Sequence, residues 1–326
     1  MKTALVTGGA GFIGSYLVRF LLSKGHSVKV VDNLSSGVYS SIQHNVEFYK
    51  IDISDSDNGL EDIFEGVDWV FHLAALADII PSVDHPIKYH KANVDGTVNV
   101  LEAARKNGVK KLIYTASSTC YGIPDMFPTP ETAPINPEYP YALTKYIGES
   151  YVLHWNKLYH LPAVSLRLFN VYGPWSKSGG AYGAVFSVFL AQKFHGKSFT
   201  VVGDGTQTRD FCAVSDVVEG IYKAAESGIS GEVINIGSGA TYSINKLVEL
   251  LGGEVVYIPK RPGEPDCTFA DITKAERLLG YKPKVSFQEG VQVMLDNINL
   301  WKGAPLWTPD IIKDATSDWF KYLSQN

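Results

Sequence analysis

The opening stretch of the chain, up to Asp32, leaves little choice of fold. Thr3–Thr7 (TALVT) is a short apolar, β-branched run of the kind that forms a buried parallel strand. It runs directly into Gly8-Gly-Ala-Gly11-Phe12-Ile13-Gly14, then a helical pattern over Ser15–Ser23 and a second strand over Ser27–Val31 that ends at Asp32. Glycines at such a turn allow backbone N–H groups to approach a pyrophosphate at a helix N-terminus. Asp32 stands 18 residues beyond Gly14, close to the spacing at which a carboxylate accepts from an adenosine ribose. A glycine triplet alone is weak, because many are only turns; here strand, helix and acid agree. The segment predicts a dinucleotide site contacted by Gly8, Gly11, Phe12, Ile13 and Asp32. Asp32 would repel a 2′-phosphate, which favours NAD over NADP, and the uncharged Asn33 beside it keeps that preference narrow.

The alternation continues. Val46–Ile51 reads as a strand leading to Asp52 and Ile53, Gly59–Phe64 as a short helix, and Val67–Leu73 as a strand entering the small-residue turn Ala74–Ala77. Leu73, Ala74 and Ala75 then lie at a strand's C-terminal end, where small residues permit close approach to a cofactor. Apolar positions Val94, Val98, Leu101 and Ala104 predict one long helix over Tyr89–Asn107, and Lys111–Thr115 predicts the next strand, followed by Ala116 and Ser117. Strands separated by helices at this rhythm predict an α/β fold with a Rossmann-type, doubly wound parallel sheet, whose ligands bind beyond the strands' carboxyl ends. Past His160 the texture changes, and a smaller C-terminal α/β substrate domain is expected. The expected division is a NAD-binding unit over 1–166, with 211–237 returning to it, and a mainly substrate-binding unit over 167–326. A small-residue loop is expected at Ser176–Gly183. The last thirty residues, rich in Trp, Pro and Asp, resist assignment.

Composition narrows the partners. A net charge of −5 argues against broad binding to nucleic acid or anionic membrane. No apolar run reaches the ~18 residues that a bilayer span needs. Cys120, Cys212 and Cys267 are far apart, with no metal-ligand spacing, and suit a reducing compartment. With no signal-peptide pattern after Met1, the expected location is cytoplasmic. His72 reads as a packed strand histidine; no metal site is expected.

In PYALTK (140–145), Tyr141 and Lys145 are four apart and share one helix face. A phenol with a reference pKa of ~10 becomes a proton acceptor near neutral pH if a cation favours its phenolate. Alone the pair would be unremarkable; a dinucleotide loop and a serine at a strand end give it a context. Asn170, Arg209 and Arg261 are scattered polar anchors suited to a nucleotide diphosphate.

With these features in order, the chain resembles the extended short-chain dehydrogenase/reductases, and within them the nucleotide-sugar 4-epimerase and 4,6-dehydratase group. The resemblance runs from Met1 to about Gly290 and includes TGGAGFIGS, FHLAA, NVDGT (93–97), PYALTK, RLFNVYGP, VVGDGTQTRDF and RPGEPD. It implies that Ser117, Tyr141 and Lys145 carry catalysis, that Asn93 supports the catalytic and cofactor network, and that Asp32, Asp52 and Ile53 meet the adenosine. It further implies that Asn170, Arg209 and Arg261 hold the diphosphate of a nucleotide sugar, a UDP-sugar foremost, and that the chain forms a homodimer through the Tyr89–Asn107 and Tyr141–His160 helices. Dehydratases of the group carry Asp-Glu directly after the catalytic hydroxyl residue; Ser118 and Thr119 stand there in this chain, so the resemblance favours a 4-epimerase that oxidises C4 and returns the hydride. Related dehydratases, reductases and dehydrogenases share the same triad, and a dinucleotide-sensing protein would be expected to lack the Tyr or Lys. Two departures concern the substrate side: Cys212-Ala213 follow Arg209-Asp-Phe, and Thr268 stands where epimerases set pocket width beside the sugar's C2 group. A small residue at 268 implies room for an N-acetyl group.

Overall fold

The structure, a computed structural model, describes residues 1–56, 59–176 and 184–324. Apart from Ser176, the small-residue loop expected at Ser176–Gly183 lies outside them. Six strands, β1 (Thr3–Thr7), β2 (Ser27–Asp32), β3 (Glu47–Lys50), β4 (Trp69–His72), β5 (Lys111–Ser117) and β6 (Ala163–Leu168), join the Glu232–Ile236 strand in one sheet. The sheet runs Glu232–Ile236, β6, β5, β4, β1, β2, β3, and every pairing in it is parallel. This is the doubly wound Rossmann-type sheet that the alternation predicts.

Both faces are covered, which is why the strands read as nearly continuous apolar runs. Leu17, Val18 and Leu21 of the Phe12–Ser23 helix pack on one face together with Val217 and Ile221 of the Val214–Glu226 helix. Val100 and Leu101 pack on the other with Val152 of the Pro140–Tyr159 helix. A separate apolar centre gathers Phe186, Phe189, Phe199, Phe211, Phe287, Trp301 and Trp319 around the short parallel pair Phe199–Val202 and Val255–Ile258. The last thirty residues enter that centre through two helices, Pro309–Ala315 and Ser317–Leu323.

Register brings the carboxyl ends together: Thr7 pairs with Val31 on one side and His72 on the other, so the turns after β1, β2 and β4 open at one edge. Two elements differ from expectation. β5 runs on to Ser117, which places that hydroxyl at the strand's last position. The long helix expected at Tyr89–Asn107 instead consists of Pro86–His90, a π-helical turn at Lys91–Asp95, and Gly96–Lys106. Such widened turns often accompany functional positions, and this one contains Asn93. Among the described residues no helix is long and apolar enough to cross a membrane.

The glycine turn is tight in a measurable way. A Cβ on Gly14 would lie 2.1 Å from the Gly8 carbonyl oxygen, whereas one on Gly228 would meet nothing within 4 Å. Gly14→Ala is therefore expected to cost roughly 1–3 kcal/mol or more through overpacking, and Gly228→Ala to leave stability nearly unchanged; urea unfolding of the two variants checks the contrast.

Candidate active site

The glycine turn comes first. Gly8 has φ of +74°, donates its N–H to Val31 O at 2.8 Å, and sits so close to the next strand's turn that a Cβ would fall 2.7 Å from Ala74 N. Asp32 accepts from Ala10 N–H on Oδ2 (3.0 Å) and from Leu34 N–H on Oδ1 (2.8 Å). Burial raises its pKa and these two donors oppose the rise. Each oxygen keeps a lone pair for a further donor such as a ribose hydroxyl. Asn33 Nδ2 donates to Asp52 Oδ2 at 3.0 Å. Burial works to raise the Asp52 pKa, but hydrogen bonds from Ser54 and Asn33 outweigh it and hold the carboxyl below its usual value. Ile53 is buried and packs on Gly96, where a Cβ would come within 2.9 Å of it. A backbone this close, stripped of side chains at Gly8, Gly11 and Gly14 and flanked by Asp32, fits a dinucleotide and leaves no room for bulkier residues.

The helix that carries Tyr141 begins at Pro140, whose fixed φ suits a first helical position. The Ser117 hydroxyl accepts from Thr119 N–H (3.3 Å) and Thr119 Oγ1 (2.9 Å), so its own proton is available to donate. Ser117 is hydrogen-bonded to the Tyr141 phenol, which lowers that pKa, yet burial outweighs it and the net shift is upward. Lys145 is 4% exposed. Burial pulls its pKa down to about 7, against Glu149 one turn later, and its Nζ stands 4.4 Å over the Tyr114 ring centroid. In the protein by itself, then, the phenol keeps its proton and the lysine titrates near neutrality. Adding positive charge beside the phenol is what would reverse the first of these.

Supports lie beneath these groups. Asn93 is 1% exposed. It takes Leu76 N–H on Oδ1 (2.8 Å) and gives Nδ2 protons to Leu76 O and Thr144 Oγ1, both at 3.0 Å. It thereby ties the turn after β4 to the Tyr141 helix. Thr97 Oγ1 donates to Asn93 O (2.6 Å), so it accepts at His72 Nε2 (3.0 Å), and His72 Nδ1 accepts from Thr7 Oγ1 at 2.7 Å. Burial, aided by the Lys145 charge, holds the His72 pKa down at about 3. His72 is a neutral core histidine, as its strand position suggests.

Glu149 and Arg167 form a buried, two-pronged ion pair at 2.6 and 3.1 Å, with side chains 2% and 5% exposed. Ser165 Oγ also donates to Glu149 (2.8 Å), and Arg167 donates to Tyr121 Oη at 2.8 Å. Removing one charge of a buried pair leaves the other unpaired. Glu149→Gln is expected to lower unfolding free energy by roughly 3–5 kcal/mol, while Glu249→Gln, in the exposed Lys246 pair, shifts it by about 0.5 kcal/mol or less; denaturant titration of both variants tests this.

A cavity of about 520 Å³ joins the two halves of the site. Phe12, Ile13, Leu73, Ala75, Ser117, Ser118, Thr119, Tyr141, Lys145, Asn170, Arg209, Arg261 and Thr268 all line it. Gly8, Gly11, Asp32, Asn33, Asp52, Ile53, Ala74 and Asn93 do not; they belong to the glycine turn, the neighbouring strand ends or the support beneath. Arg209 donates to Thr208 O at 2.9 Å, and Arg261 pairs with Glu264 at 2.8 Å. Thr268 Oγ1 donates to Asn170 Oδ1 (2.7 Å) and accepts from Asp210 N–H (3.1 Å), so its hydroxyl is spent within the wall. Cys212, expected on the substrate side, is instead fully buried beside Tyr281 Oη at 3.4 Å, and neither it nor Ala213 lines the cavity. Asp78, Tyr139 and Trp319 are among the lining residues that escaped sequence reading. Tyr139 carried a signal, two residues ahead of Tyr141; Trp319 carried none at short range. Among the described residues no group of His, Cys, Asp and Glu could hold a metal ion.

Comparison with known proteins fits this geometry. The sequence pattern of the NAD dependent epimerase/dehydratase family matches residues 4–237. A putative UDP-glucose 4-epimerase of Methanocaldococcus jannaschii is 39% identical over 295 residues, 88% of this chain and 95% of its own length. The crystal structure of the Thermotoga maritima UDP-glucose 4-epimerase with UDP-glucose is similar at a TM-score of 0.87 and 39% identity, covering 91% of this chain and 98% of that one. The Methanobrevibacter ruminantium UDP-N-acetylglucosamine 4-epimerase in complex with UDP-N-acetylmuramic acid is similar at a TM-score of 0.86 and 34% identity, covering 91% and 98%.

Proposed function

Because the chain belongs to the NAD-dependent epimerase/dehydratase family, an enzyme family, we propose that it is a UDP-hexose 4-epimerase acting on UDP-glucose/UDP-galactose and on UDP-GlcNAc/UDP-GalNAc. The observation that carries this reading is the single cavity in which Ser117, Tyr141 and Lys145 face Arg209 and Arg261. The NAD site is assigned to Gly8, Gly11, Phe12, Ile13, Asp32, Asn33, Asp52, Ile53, Leu73, Ala74, Ala75 and Asn93, with Tyr141 and Lys145 at its reacting end. When bound, NAD supplies an acceptor for the C4 hydrogen with its electron pair and a positive charge that favours the phenolate.

Tyr141 takes the proton of the sugar 4-hydroxyl and gives it back to the carbonyl oxygen when the ketose is reduced on its other face. Ser117, whose single proton lies toward Tyr141 in the protein alone, donates it to the oxygen on which charge changes once the sugar is bound. Lys145, with a pKa brought down to about 7 by burial, holds the ribose hydroxyls and adds its charge whenever it is protonated. Arg209 and Arg261 hold the diphosphate, with Asn170 and the Ser118–Thr119 turn beside the sugar. Ser118 and Thr119 offer neutral hydroxyls where elimination across C5 and C6 would need an acid and a base, which supports oxidation and return over dehydration. Thr268, small and turned onto Asn170, supports room for an N-acetyl group. On this reading, residues 1–166 with 211–237 form the NAD-binding unit and 167–326 mainly bind the nucleotide sugar. A cytoplasmic homodimer completes it, supported by the exposed Leu143, Tyr151, Leu158 and Tyr159 of the Pro140–Tyr159 helix.

NMR of the purified protein with UDP-glucose and with UDP-GlcNAc is expected to show the C4 epimer of each, with no net reduction of NAD. Tyr141→Phe is expected to cut turnover by about 10²-fold or more while NAD binding survives. Near-normal activity of that variant would refute the assignment of Tyr141, and inertness toward UDP-GlcNAc would refute the wider substrate range.

A further inference from the structure

Asp78 is a half-buried acid in the wall of the cavity that also holds Ser117, Tyr141 and Lys145. It ends the turn that follows β4, and that turn is fixed from beneath. Asn93 holds the N–H and carbonyl of Leu76 at 2.8 and 3.0 Å, and the Tyr89 hydroxyl donates to Asp78 O at 2.5 Å. The charge of Asp78 reaches the reacting end of the cavity: burial raises the Tyr141 pKa, the bond from Ser117 opposes the rise, and Asp78 adds to it. Among the described residues, the charged ones that line the cavity are Asp78, Lys145, Arg209, Arg261 and Glu264. Arg261 is paired with Glu264 at 2.8 Å, and both arginines are assigned to the diphosphate. Lys145 is assigned to the cofactor ribose. The sugar is left facing a carboxylate, which accepts hydrogen bonds and has no proton to give. In a hexose whose 4-hydroxyl sits at Tyr141, the C3 hydroxyl and the C6 group flank the reacting carbon. A hydroxyl at either place can donate to Asp78. A carboxylate at C6 cannot, and it sets like charge against like.

We infer that Asp78 is a specificity-determining residue that accepts from a hydroxyl beside C4 and turns away sugars with a carboxylate at C6, so that the substrates are uncharged UDP-hexoses and not UDP-hexuronates. This rests on the nucleotide-sugar reading of the site and narrows it. Asp78 takes no part in proton or hydride transfer. Because C6 is two bonds from C4, it stays near the phenol whichever face of the ring is presented, and the discrimination applies to both epimers.

The test uses the full chain as wild type, Asp78→Asn and Asp78→Ala. Each is titrated calorimetrically with UDP, UDP-glucose and UDP-glucuronate, and epimerisation of the two sugars is followed by NMR. Wild type is expected to favour UDP-glucose over UDP-glucuronate by about 100-fold or more in kcat/KM. Asp78→Asn removes the charge at nearly constant volume and is expected to narrow that ratio about tenfold or more, through a gain toward UDP-glucuronate. Asp78→Ala removes the acceptor as well and is expected to weaken UDP-glucose binding about tenfold. UDP affinity, set at the arginines, is expected to stay within about threefold in both variants. A wild type that takes both sugars equally well overturns the inference, as does an unchanged ratio in Asp78→Asn. An equal loss of affinity for UDP and both sugars in the variants marks a purely structural role and overturns it too. A wild type that binds UDP-glucose without epimerising it refutes the proposed reaction instead, and the affinities of the two sugars across the variants still decide the role of Asp78.

Discussion

The site rests on one buried ion pair. Glu149 belongs to the helix of Tyr141 and Lys145, Arg167 to β6, and the arginine's Nη1 donates to Glu131 O and to Tyr121 Oη, at the end of the turn that begins at Ser117. Tyr121 in turn donates to Asn235 Oδ1 at 2.7 Å, on the sheet's edge strand. A buried pair recovers its desolvation cost only with good geometry and further hydrogen bonds, so it is weak evidence of net stability. What it does here is relate segments. The position of the Tyr141 phenol relative to the Ser117 hydroxyl follows from where Glu149 and Tyr121 are tied, and both are tied to Arg167.

The same pair shapes the electrostatics. Lys145 lies one turn before Glu149, and the carboxylate opposes the burial that depresses the lysine. Arg167 neutralises that carboxylate, so the opposition is partial. Tyr141 is likewise held up by burial against its bond to Ser117. Two groups that are each reluctant to ionise in the protein alone form a site with little standing charge, whose protonation answers readily to a charged molecule arriving beside it.

How much of this was legible in the sequence depends on range. The turn at Gly8–Gly14, the acid at Asp32 and the i, i+4 pair Tyr141/Lys145 are local patterns, and backbone sterics or helix periodicity fix them without reference to the rest of the chain. Their neighbours yield to packing. The π-helical turn at Asn93 breaks a helix that its apolar periodicity predicts as continuous, because the Asn93 side chain is bonded to Leu76 and Thr144 from other segments. Cys212 follows Arg209 and Phe211, which line the cavity, but its own side chain turns into the core toward Tyr281. Arg167 and Glu149 are ordinary charges in sequence and become a pair only when β6 lies under the helix. Trp319 is the extreme case, since its partners are Pro262 and Tyr139 and nothing within its own helix announces them.

The sheet order has a consequence for how the protein comes into being. β6 pairs on its outer side with Glu232–Ile236, a strand separated from it by more than sixty residues, and Trp319 follows later still. A ribosome that has released everything through Tyr159 has therefore delivered the glycine turn, Ser117, Tyr141 and Lys145, while Arg209, Arg261 and the C-terminal helices remain unmade. On the proposed assignment most of the dinucleotide-binding segments emerge before the arginines that hold the diphosphate, so a nascent chain would meet its cofactor before its substrate.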